Sequence, residues 1–451
     1  VFISRFLPSE DMGRWRTIVA AVRELEQLFP KFPLEVEFVV TPSDEVVVLQ
    51  CRPLNVCSPH VSLEESAGEL LQELKIRFDR CQMAQPHIPG RYTILSDMAD
   101  WNPSEMIGDR PSTLSYSMYR ELVTDRTWHE ARTSQGYYDV LHGNLMLSMA
   151  RKPYIDAQLS LASFTPALLS EGTRNKVVNV CLDRLKANRH LHDKIEFSVA
   201  FTCYDLTVED RIKEHRELTG KEANELIGRI KEHTNRLVLS SGTDIRHDFA
   251  QLNRLERHLE SVQDAYREKA QYWDYFNAAF LLFEPLRLLG VLPFARCARL
   301  GFIGRILFFS LADLGLLPRD ICSHFLRSIP TVATECALSL NSLRRGDTSV
   351  KAFLARFGHL RMNSYDITSP RYDQLPSEFW TAGANVAPPA RKEAPIDLGP
   401  LGPIDSALKD AGLEFNGAQL LDFLKAATQA REETKFRFTR VLSDAMEYLA
   451  K

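Results

Sequence analysis

The chain has 451 residues, of which 45% are hydrophobic and 25% are charged, and its formal net charge is −4. This length allows two to four domains with a large core, and the composition is ordinary for a soluble globular protein. The near balance of charge gives no general attraction to nucleic acid or to acidic membranes, so we expect neither as a partner. The 8 cysteines are scattered without Cys-x-x-Cys pairs or clusters flanked by histidines. That pattern argues against a zinc site and a disulfide framework, and it favours the reducing cytoplasm.

The first elements in chain order are a strand at residues 1–7, a helix and a two-stranded hairpin. Residues 11–28 carry apolar side chains on one helical stripe. Residues 34–40 and 46–54 are rich in β-branched side chains, and residues 41–44 supply a turn between them. The sequence therefore predicts a hairpin close to the start of the chain.

Polar side chains follow one face of this hairpin. A four-residue loop would place Glu35 opposite Gln50, and because side chains alternate along a strand, Glu37, Gln50 and Arg52 would then project from the same side. Carboxylate oxygen suits Mg²⁺, and a guanidinium can bind phosphate with two hydrogen bonds. The pattern is typical of a site for Mg²⁺ and polyphosphate. The alternative is an ordinary amphipathic hairpin with its polar face in water.

The rest of the chain is mostly helical in pattern. A Ser-x-x-Glu capping box opens a helix over residues 62–81, and we place a domain boundary between residues 1–88 and 89–451. Residues 206–269 form a long amphipathic helical pattern, in which Thr207-x-x-Asp210 and Thr219-x-x-Glu222 are predicted helix caps. Residues 382–404 are rich in Pro, Ala and Gly and read as a linker or mobile loop. The predicted fold class is α+β, with a mostly α-helical second domain.

The most apolar region, residues 278–317, is predicted to form buried helices. Charged residues and two prolines interrupt it. No uninterrupted apolar run reaches the ~18–20 residues that a membrane-spanning helix needs.

A first polar loop, residues 96–108, surrounds a helix start, because Asn102 precedes a proline and Glu105 follows three residues later. Carboxylates there suit an ammonium group, and free backbone N–H groups suit an anion. The alternative is a capped helix with Trp101 in the core. The candidate substrate-binding residues are Asp97, Asp100, Trp101, Asn102 and Glu105.

A second polar loop, residues 357–373, concentrates hydrogen-bonding side chains between helices, where functional residues often lie. Arg361 and Arg371 could clamp a carboxylate or a phosphoryl group, and His359 could act as a general acid or base. The alternative is a structural loop tied by an Arg–Asp pair. The candidates are His359 and Arg361 as catalytic residues and Tyr365, Arg371 and Tyr372 as substrate-binding residues.

The hairpin sequence resembles a known nucleotide-binding motif. E-V-E-F at residues 35–38, followed by L-Q-C-R-P at residues 49–53, is similar to the end of the ATP-grasp domain in the pyruvate phosphate dikinase and phosphoenolpyruvate synthase superfamily. The resemblance implies that residues 1–88 are the C-terminal part of an ATP-grasp domain that binds ATP and Mg²⁺. It implies metal ligands at Glu37 and Gln50 and a phosphate contact at Arg52.

The two polar loops resemble a branch of the same superfamily. S-D-M-A-D-W-N-P at residues 96–103, F-G-H-L-R at residues 357–361 and Y-D-I-T-S-P-R-Y at residues 365–372 are similar to motifs of phosphoenolpyruvate-synthase-like proteins of capsular polysaccharide biosynthesis. That branch includes L-glutamine kinase, so residues 89–451 are expected to bind a small polar acceptor, with L-glutamine first. M-N-S at residues 362–364 replaces the P-G-T of the branch. Pyruvate or water dikinase and antibiotic phosphotransferase activities therefore remain alternatives.

The superfamily transfers its phosphoryl group through a phosphohistidine on a separate domain. None of the 12 histidines here lies in the glycine-rich loop of that domain. We expect the phosphohistidine domain to lie elsewhere in the full-length protein, the chain to begin part-way through the ATP-grasp domain, and this chain alone to be inactive. An alternative of another class is a non-catalytic helical binding or scaffold domain.

Overall fold

The computed structural model describes residues 15–29, 34–53, 67–82, 87–140, 143–266, 271–376, 379–380, 396 and 398–451. Helices predominate among these residues, and the strands form two small antiparallel sheets. The predicted α+β class is confirmed. The predicted features that lie wholly or mostly outside the described residues are the strand at residues 1–7, the capping box at 62–65 and the linker at 382–404.

The N-terminal elements are those that the sequence predicts. Helix α1 spans Arg16–Leu28, and the hairpin strands β1 and β2 span Leu34–Val40 and Val46–Pro53. Helix α2 follows over Ala67–Cys81. The hairpin forms because its β-branched runs favour extended backbone and its short polar segment favours a turn.

The predicted hairpin register is wrong. Glu37 lies opposite Gln50 and Glu35 lies opposite Arg52, with a register shift between Glu37 and Phe38. Without that bulge, the pairing near the turn would have continued and placed Gln50 on the face opposite to Glu37, since side chains alternate along a strand. The bulge adds one residue to β2 and returns Gln50 to the face of Glu37.

The second sheet lies at the start of the helical part. Strand β5 (Lys152–Asp156) pairs with β3 (Leu95–Ser96) on one side and with β4 (Met146–Met149) on the other. Asp156 also caps the next helix, because its carboxylate accepts hydrogen bonds from the backbone N–H groups of two following residues at 2.9 and 3.1 Å. The surrounding short elements are α3 (Pro103–Ile107), α4 (Thr113–Tyr119), a π-helical turn (Arg120–Thr124), α5 (Thr127–Ser134) and α6 (Ala157–Ser163).

Ten further helices, most of them longer, follow in the described chain. They are α7 (Glu171–Ala187), α8 (Val208–Lys213), α9 (Gly220–Ala265), α10 (Tyr272–Leu286), α11 (Leu292–Asp313), α12 (Arg319–Ser328), α13 (Val332–Arg344), α14 (Val350–Phe357), α15 (Gly402–Asp410) and α16 (Gly417–Ala450). Short 3₁₀ or π turns lie at Arg189–Leu191, Ile195–Val199, Arg287–Val291 and Tyr372–Gln374. Helices α9, α10, α11 and α16 pack against one another and form the central bundle.

The starts of α8 and α9 differ in how far they follow local sequence rules. Thr219 and Glu222 form the predicted capping box at the start of α9. The predicted cap at Thr207 is wrong, because its hydroxyl donates to Asp205 and makes no capping hydrogen bond to α8. An acidic neighbour two residues away therefore competes successfully for the threonine side chain.

The apolar run from α10 to α11 lies in the centre of the bundle. By length and composition, Tyr272–Asp313 is the one described helical run that could cross a membrane, and 56% of its most apolar window is buried inside the fold. Gly290 sits where this run meets its neighbours, since an added Cβ would lie 2.8 Å from Leu255 Cδ2 and 3.0 Å from Phe438 Cβ. Helix α11 is thus a core element of the bundle, as predicted, whereas part of α10 is exposed, with Phe280 71% exposed.

Candidate functional site

The polar face of the hairpin is open to solvent. Glu37 and Gln50 are both exposed and directly opposed across the two strands. Directly opposed side chains in an antiparallel pair lie about 4.5–5.5 Å apart at Cβ. A carboxylate and an amide oxygen therefore stand side by side on the surface.

Glu37 and Gln50 meet part of the ligand requirement of Mg²⁺. The described residues contain no group of three or more His, Cys, Asp or Glu side chains that could hold a metal ion. Mg²⁺ is often bound by only one or two protein ligands together with substrate phosphates and water. Glu37 and Gln50 could supply the two protein ligands of a cation of that kind.

The first polar loop is a tight turn that begins α3. Trp101 and Asn102 both have positive φ, at 62° and 24°, and the Asn102 side chain accepts a hydrogen bond from the Glu105 backbone N–H at 3.2 Å. The predicted helix start is confirmed. The indole of Trp101 packs edge-on against Phe294, 6.0 Å between ring centroids, and its Nε1 is buried without a hydrogen-bond partner among the described residues. Glu105 stays exposed.

Asp100 points inward from this loop into a buried ion-pair network. Its carboxylate lies 2.5 Å from Arg132 Nη2 and accepts a hydrogen bond from Ser160 Oγ at 2.9 Å. Glu196 joins the same network through Arg132, which lies 3.9 Å from its carboxylate, and it also pairs with Arg299 at 3.1 Å. Because Asp100 is enclosed and paired, its position suits an internal structural role better than direct contact with a substrate.

Glu196 is the group of this network that titrates near neutral pH. Burial, together with the nearby charge of Asp100 and a hydrogen bond to it, raises the pKa of Glu196 to about 7, against the opposing charges of Arg299 and Arg132. The network therefore gains a negative charge near neutral pH.

Asp97 occupies a different environment, at the edge of the fold. Lys152 Nζ lies 2.7 Å from its carboxylate and 3.1 Å from that of Asp109. Partial burial alone would raise the pKa of Asp97, but the hydrogen bond and charge of Lys152 lower it. Asp97 also lines a surface cleft together with Met98 and His192, so this predicted carboxylate of the first loop faces a cavity.

The two polar loops meet through one tyrosine. The Tyr119 hydroxyl donates a hydrogen bond to the Trp101 carbonyl oxygen, and its ring packs edge-on against Tyr365 at 5.1 Å between centroids. Tyr365 is almost fully buried, and burial raises its pKa well above the ordinary value. The predicted site residues of both loops are therefore parts of one packed unit, although most of them do not share a cavity.

The second polar loop is held against α16 by its two arginines. Arg361 is buried and donates to Ser443 Oγ at 3.1 Å, to the Ser369 carbonyl and to Glu447. Arg371 donates to Asp373 at 3.1 and 2.9 Å. Arg371 also lies 2.6 Å from Asp444 on α16, which the sequence pattern does not single out.

An open recess of about 330 Å³ lies over these contacts. Its lining combines carboxylates, cations and amides at the junction of the second polar loop, α9 and α16. The lining residues are Gln263, Arg371, Asp373, Gln374, Asp444, Glu447, Tyr448 and Lys451. We call this cavity the C-terminal recess.

The other predicted residues of the second loop lie behind the C-terminal recess. His359 is buried, its ring packs edge-on against Phe436 at 4.7 Å, and its Nε2 has no hydrogen-bond partner among the described residues. Burial and the nearby charge of Arg440 lower the pKa of His359 to about 4, so the imidazole is neutral at pH 7. Tyr372 packs against Trp380, 5.0 Å between ring centroids. The roles given to His359 and Arg361 remain predictions, and Arg361 supports the recess wall through its contact with Glu447.

No family of known proteins, no curated protein and no solved structure matches this chain.

Proposed function

We propose that this chain belongs to an ATP-dependent phosphotransferase and carries one edge of its nucleotide site and its acceptor-binding domain. The proposed reaction uses ATP and Mg²⁺, forms AMP and phosphate, and passes a phosphoryl group to a small polar acceptor through a phosphohistidine domain of the same full-length protein. The side-chain amide of L-glutamine is the first choice of acceptor. The proposed location is the cytoplasm.

The observation that carries this proposal is the arrangement of the hairpin. Its bulge turns Gln50 to the face of Glu37, and Arg52 follows two residues further along that strand. An ordinary amphipathic hairpin has no need of an irregularity that aligns a carboxylate with an amide, whereas bulges often serve to re-aim a functional side chain. These groups suit a Mg²⁺–polyphosphate edge.

The C-terminal recess supports an amino-acid acceptor. Arg371 and Lys451 can bind a carboxylate, and Asp444 and Glu447 can bind an ammonium group. Gln263 offers an amide that can pair with the amide of the acceptor. A volume of about 330 Å³ is at the small end of ligand-binding pockets.

The residues of the chain would act by positioning and by neutralising charge, which are the main means of catalysis in phosphoryl transfer. When bound, Mg²⁺–ATP supplies the phosphoryl group. Arg361 acts as a positioning residue, because it holds Glu447 in the wall of the recess while touching no open surface there. Arg371 orients the acceptor carboxylate.

The test is AMP release from ATP by the full-length protein, with and without L-glutamine. The proposal predicts release that depends on the acceptor, and it predicts no release by the 451-residue chain alone. Release stimulated by pyruvate or by an antibiotic and not by glutamine would keep the enzyme class and replace the acceptor. No AMP release and no phosphohistidine with any acceptor would favour the non-catalytic scaffold alternative.

A further inference from the structure

A second cavity is larger than the C-terminal recess. It has a volume of about 690 Å³ and is bounded by α2, the segment that leads into the first polar loop, and the residues that follow α7. We call it the α2–α7 cleft. Its size is within the range of cavities that enclose most of a small organic molecule.

One wall of the α2–α7 cleft is apolar. Phe78 of α2 and Met98 of the first polar loop are 46% and 37% exposed, and Ile94 and Leu95 lie between them in the lining. Exposed large apolar side chains that meet in a concave site commonly mark a binding surface. This wall suits a flat, apolar body.

Another part of the lining is basic. It includes Lys186 in the last turn of α7, Arg189 and His190 of the following 3₁₀ turn, and His192. Lys186 Nζ lies 5.3 Å from the centroid of the Tyr92 ring, which also lines the cleft. Among the residues that the structure describes, neither Lys186 nor Arg189 has a carboxylate partner.

The acidic residues of the cleft do not cancel this charge. Asp97 is paired with Lys152, which lies outside the cleft lining, and Asp193 lies 3.7 Å from Lys194. Each carboxylate thus has a cation within 4 Å, although Asp97 shares Lys152 with Asp109. The unpaired charge facing the cavity is positive.

We propose that the α2–α7 cleft binds an organic anion that joins a flat apolar body to a phosphate or a carboxylate group. The apolar body lies against Phe78 and Met98, and the anion lies between Lys186 and Arg189. Ser96 Oγ, 2.9 Å from His192 Nδ1, fixes the orientation of the imidazole in the same wall. This site goes beyond the proposed function, because it shares no lining residue with the C-terminal recess and its binding is measured without ATP.

The test is isothermal titration of the whole chain with three naphthalene probes and with inorganic phosphate. The probes are 1-naphthyl phosphate, 1-naphthoate and the neutral 1-naphthol. We expect 1-naphthyl phosphate to bind about tenfold or more tightly than 1-naphthol, and its binding to weaken as salt is raised. Whichever of 1-naphthyl phosphate and 1-naphthoate has the higher affinity then indicates whether the ligand carries a phosphate or a carboxylate group.

Two variants locate the binding. Lys186→Gln/Arg189→Gln should weaken 1-naphthyl phosphate about tenfold while leaving 1-naphthol unchanged, because both side chains are exposed and act only through charge. Lys221→Gln is the matched control, since Lys221 is an exposed lysine at the start of α9 outside the cleft lining, and it should change affinity by less than about twofold.

Binding of the naphthalene probes to an apolar surface outside the cleft is the competing explanation. Phe280 of α10 is 71% exposed and stacks near Phe276, so naphthalene could bind there instead. Phe280→Asp should leave the affinity for 1-naphthyl phosphate intact. The proposal is overturned if Phe280→Asp abolishes binding, if 1-naphthol binds as tightly as 1-naphthyl phosphate, or if the double variant binds like Lys221→Gln.

Discussion

Replacing Arg132 by methionine should destabilise the helical part strongly. Arg132 is 6% exposed in its side chain and donates to Asp100 and to Ser163 Oγ, each at 2.5 Å. Its loss leaves the Asp100 carboxylate, which is 2% exposed, without its paired guanidinium and with the Ser160 hydroxyl and Glu196 as hydrogen-bond partners. Removing one partner of a buried pair costs about 3–5 kcal/mol, because the other charge stays buried without compensation.

The matched control is Arg126→Met, a few residues away. Arg126 pairs with Glu121 at 3.2 Å, but these side chains are 51% and 55% exposed. An exposed pair of this kind contributes less than about 1 kcal/mol. The free energy of unfolding is measured by urea titration followed by circular dichroism at 222 nm, with identical conditions for both variants.

A double variant separates charge from packing. Asp100→Asn/Arg132→Met carries no stranded carboxylate, so it should be more stable than Arg132→Met alone by about 1–3 kcal/mol. Equal losses in Arg132→Met and Arg126→Met would refute the reasoning. So would a double variant no more stable than Arg132→Met, because packing would then account for the whole loss.

The remaining predictions concern pH, catalysis and helix capping. The pKa of Glu196 is raised to about 7 in the folded state, above its ordinary value of 4.5. Between these pH values the folded state therefore binds more protons than the unfolded state. The free energy of unfolding falls as the pH rises through this range, by up to about 1.4 kcal/mol per pH unit. Glu196→Gln should remove that part of the slope in urea titrations from pH 4.5 to 7.5. In the full-length protein, Arg361→Ala should abolish transfer to the acceptor and spare phosphorylation of the histidine, whereas Arg52→Ala should block both. Equal loss of both steps in Arg361→Ala would contradict its place at the acceptor site. Thr219→Ala should cost α9 about 1 kcal/mol of unfolding free energy through loss of the capping box, and no change would show that packing alone fixes the helix start.

Local features of this chain were predictable, because they depend on neighbours in sequence. Alternating β-branched residues predicted the hairpin, and Asn102 with Glu105 predicted the start of α3. The bulge in the hairpin was not predictable, since the turn length alone suggests a regular register. The grouping of Glu37 with Gln50 was nevertheless right, because the bulge compensates for the wrong register.

Contacts between distant segments explain most of what the sequence could not predict. Arg361 pairs with Glu447, 86 residues further along the chain, and nothing local indicates that α16 supplies its partner. In the same way, the sequence gives Asp100 as a candidate ligand, but Arg132 encloses it once α5 packs beside the loop. The sequence pattern does not single out Lys186 and Arg189 as ligand-binding residues, because basic residues at a helix end are usually solvated.

The most direct test of the central claim is AMP release by the full-length protein carrying Glu37→Gln. Glu37 is the carboxylate opposite Gln50 on the exposed hairpin face, and the turn residue Glu45 is an exposed control on the same hairpin. We predict that Glu37→Gln lowers acceptor-dependent AMP release at least about 100-fold at saturating glutamine, since Mg²⁺ loses its protein carboxylate, while Glu45→Gln retains full activity. Full activity in Glu37→Gln would contradict the assignment of the hairpin to an ATP site.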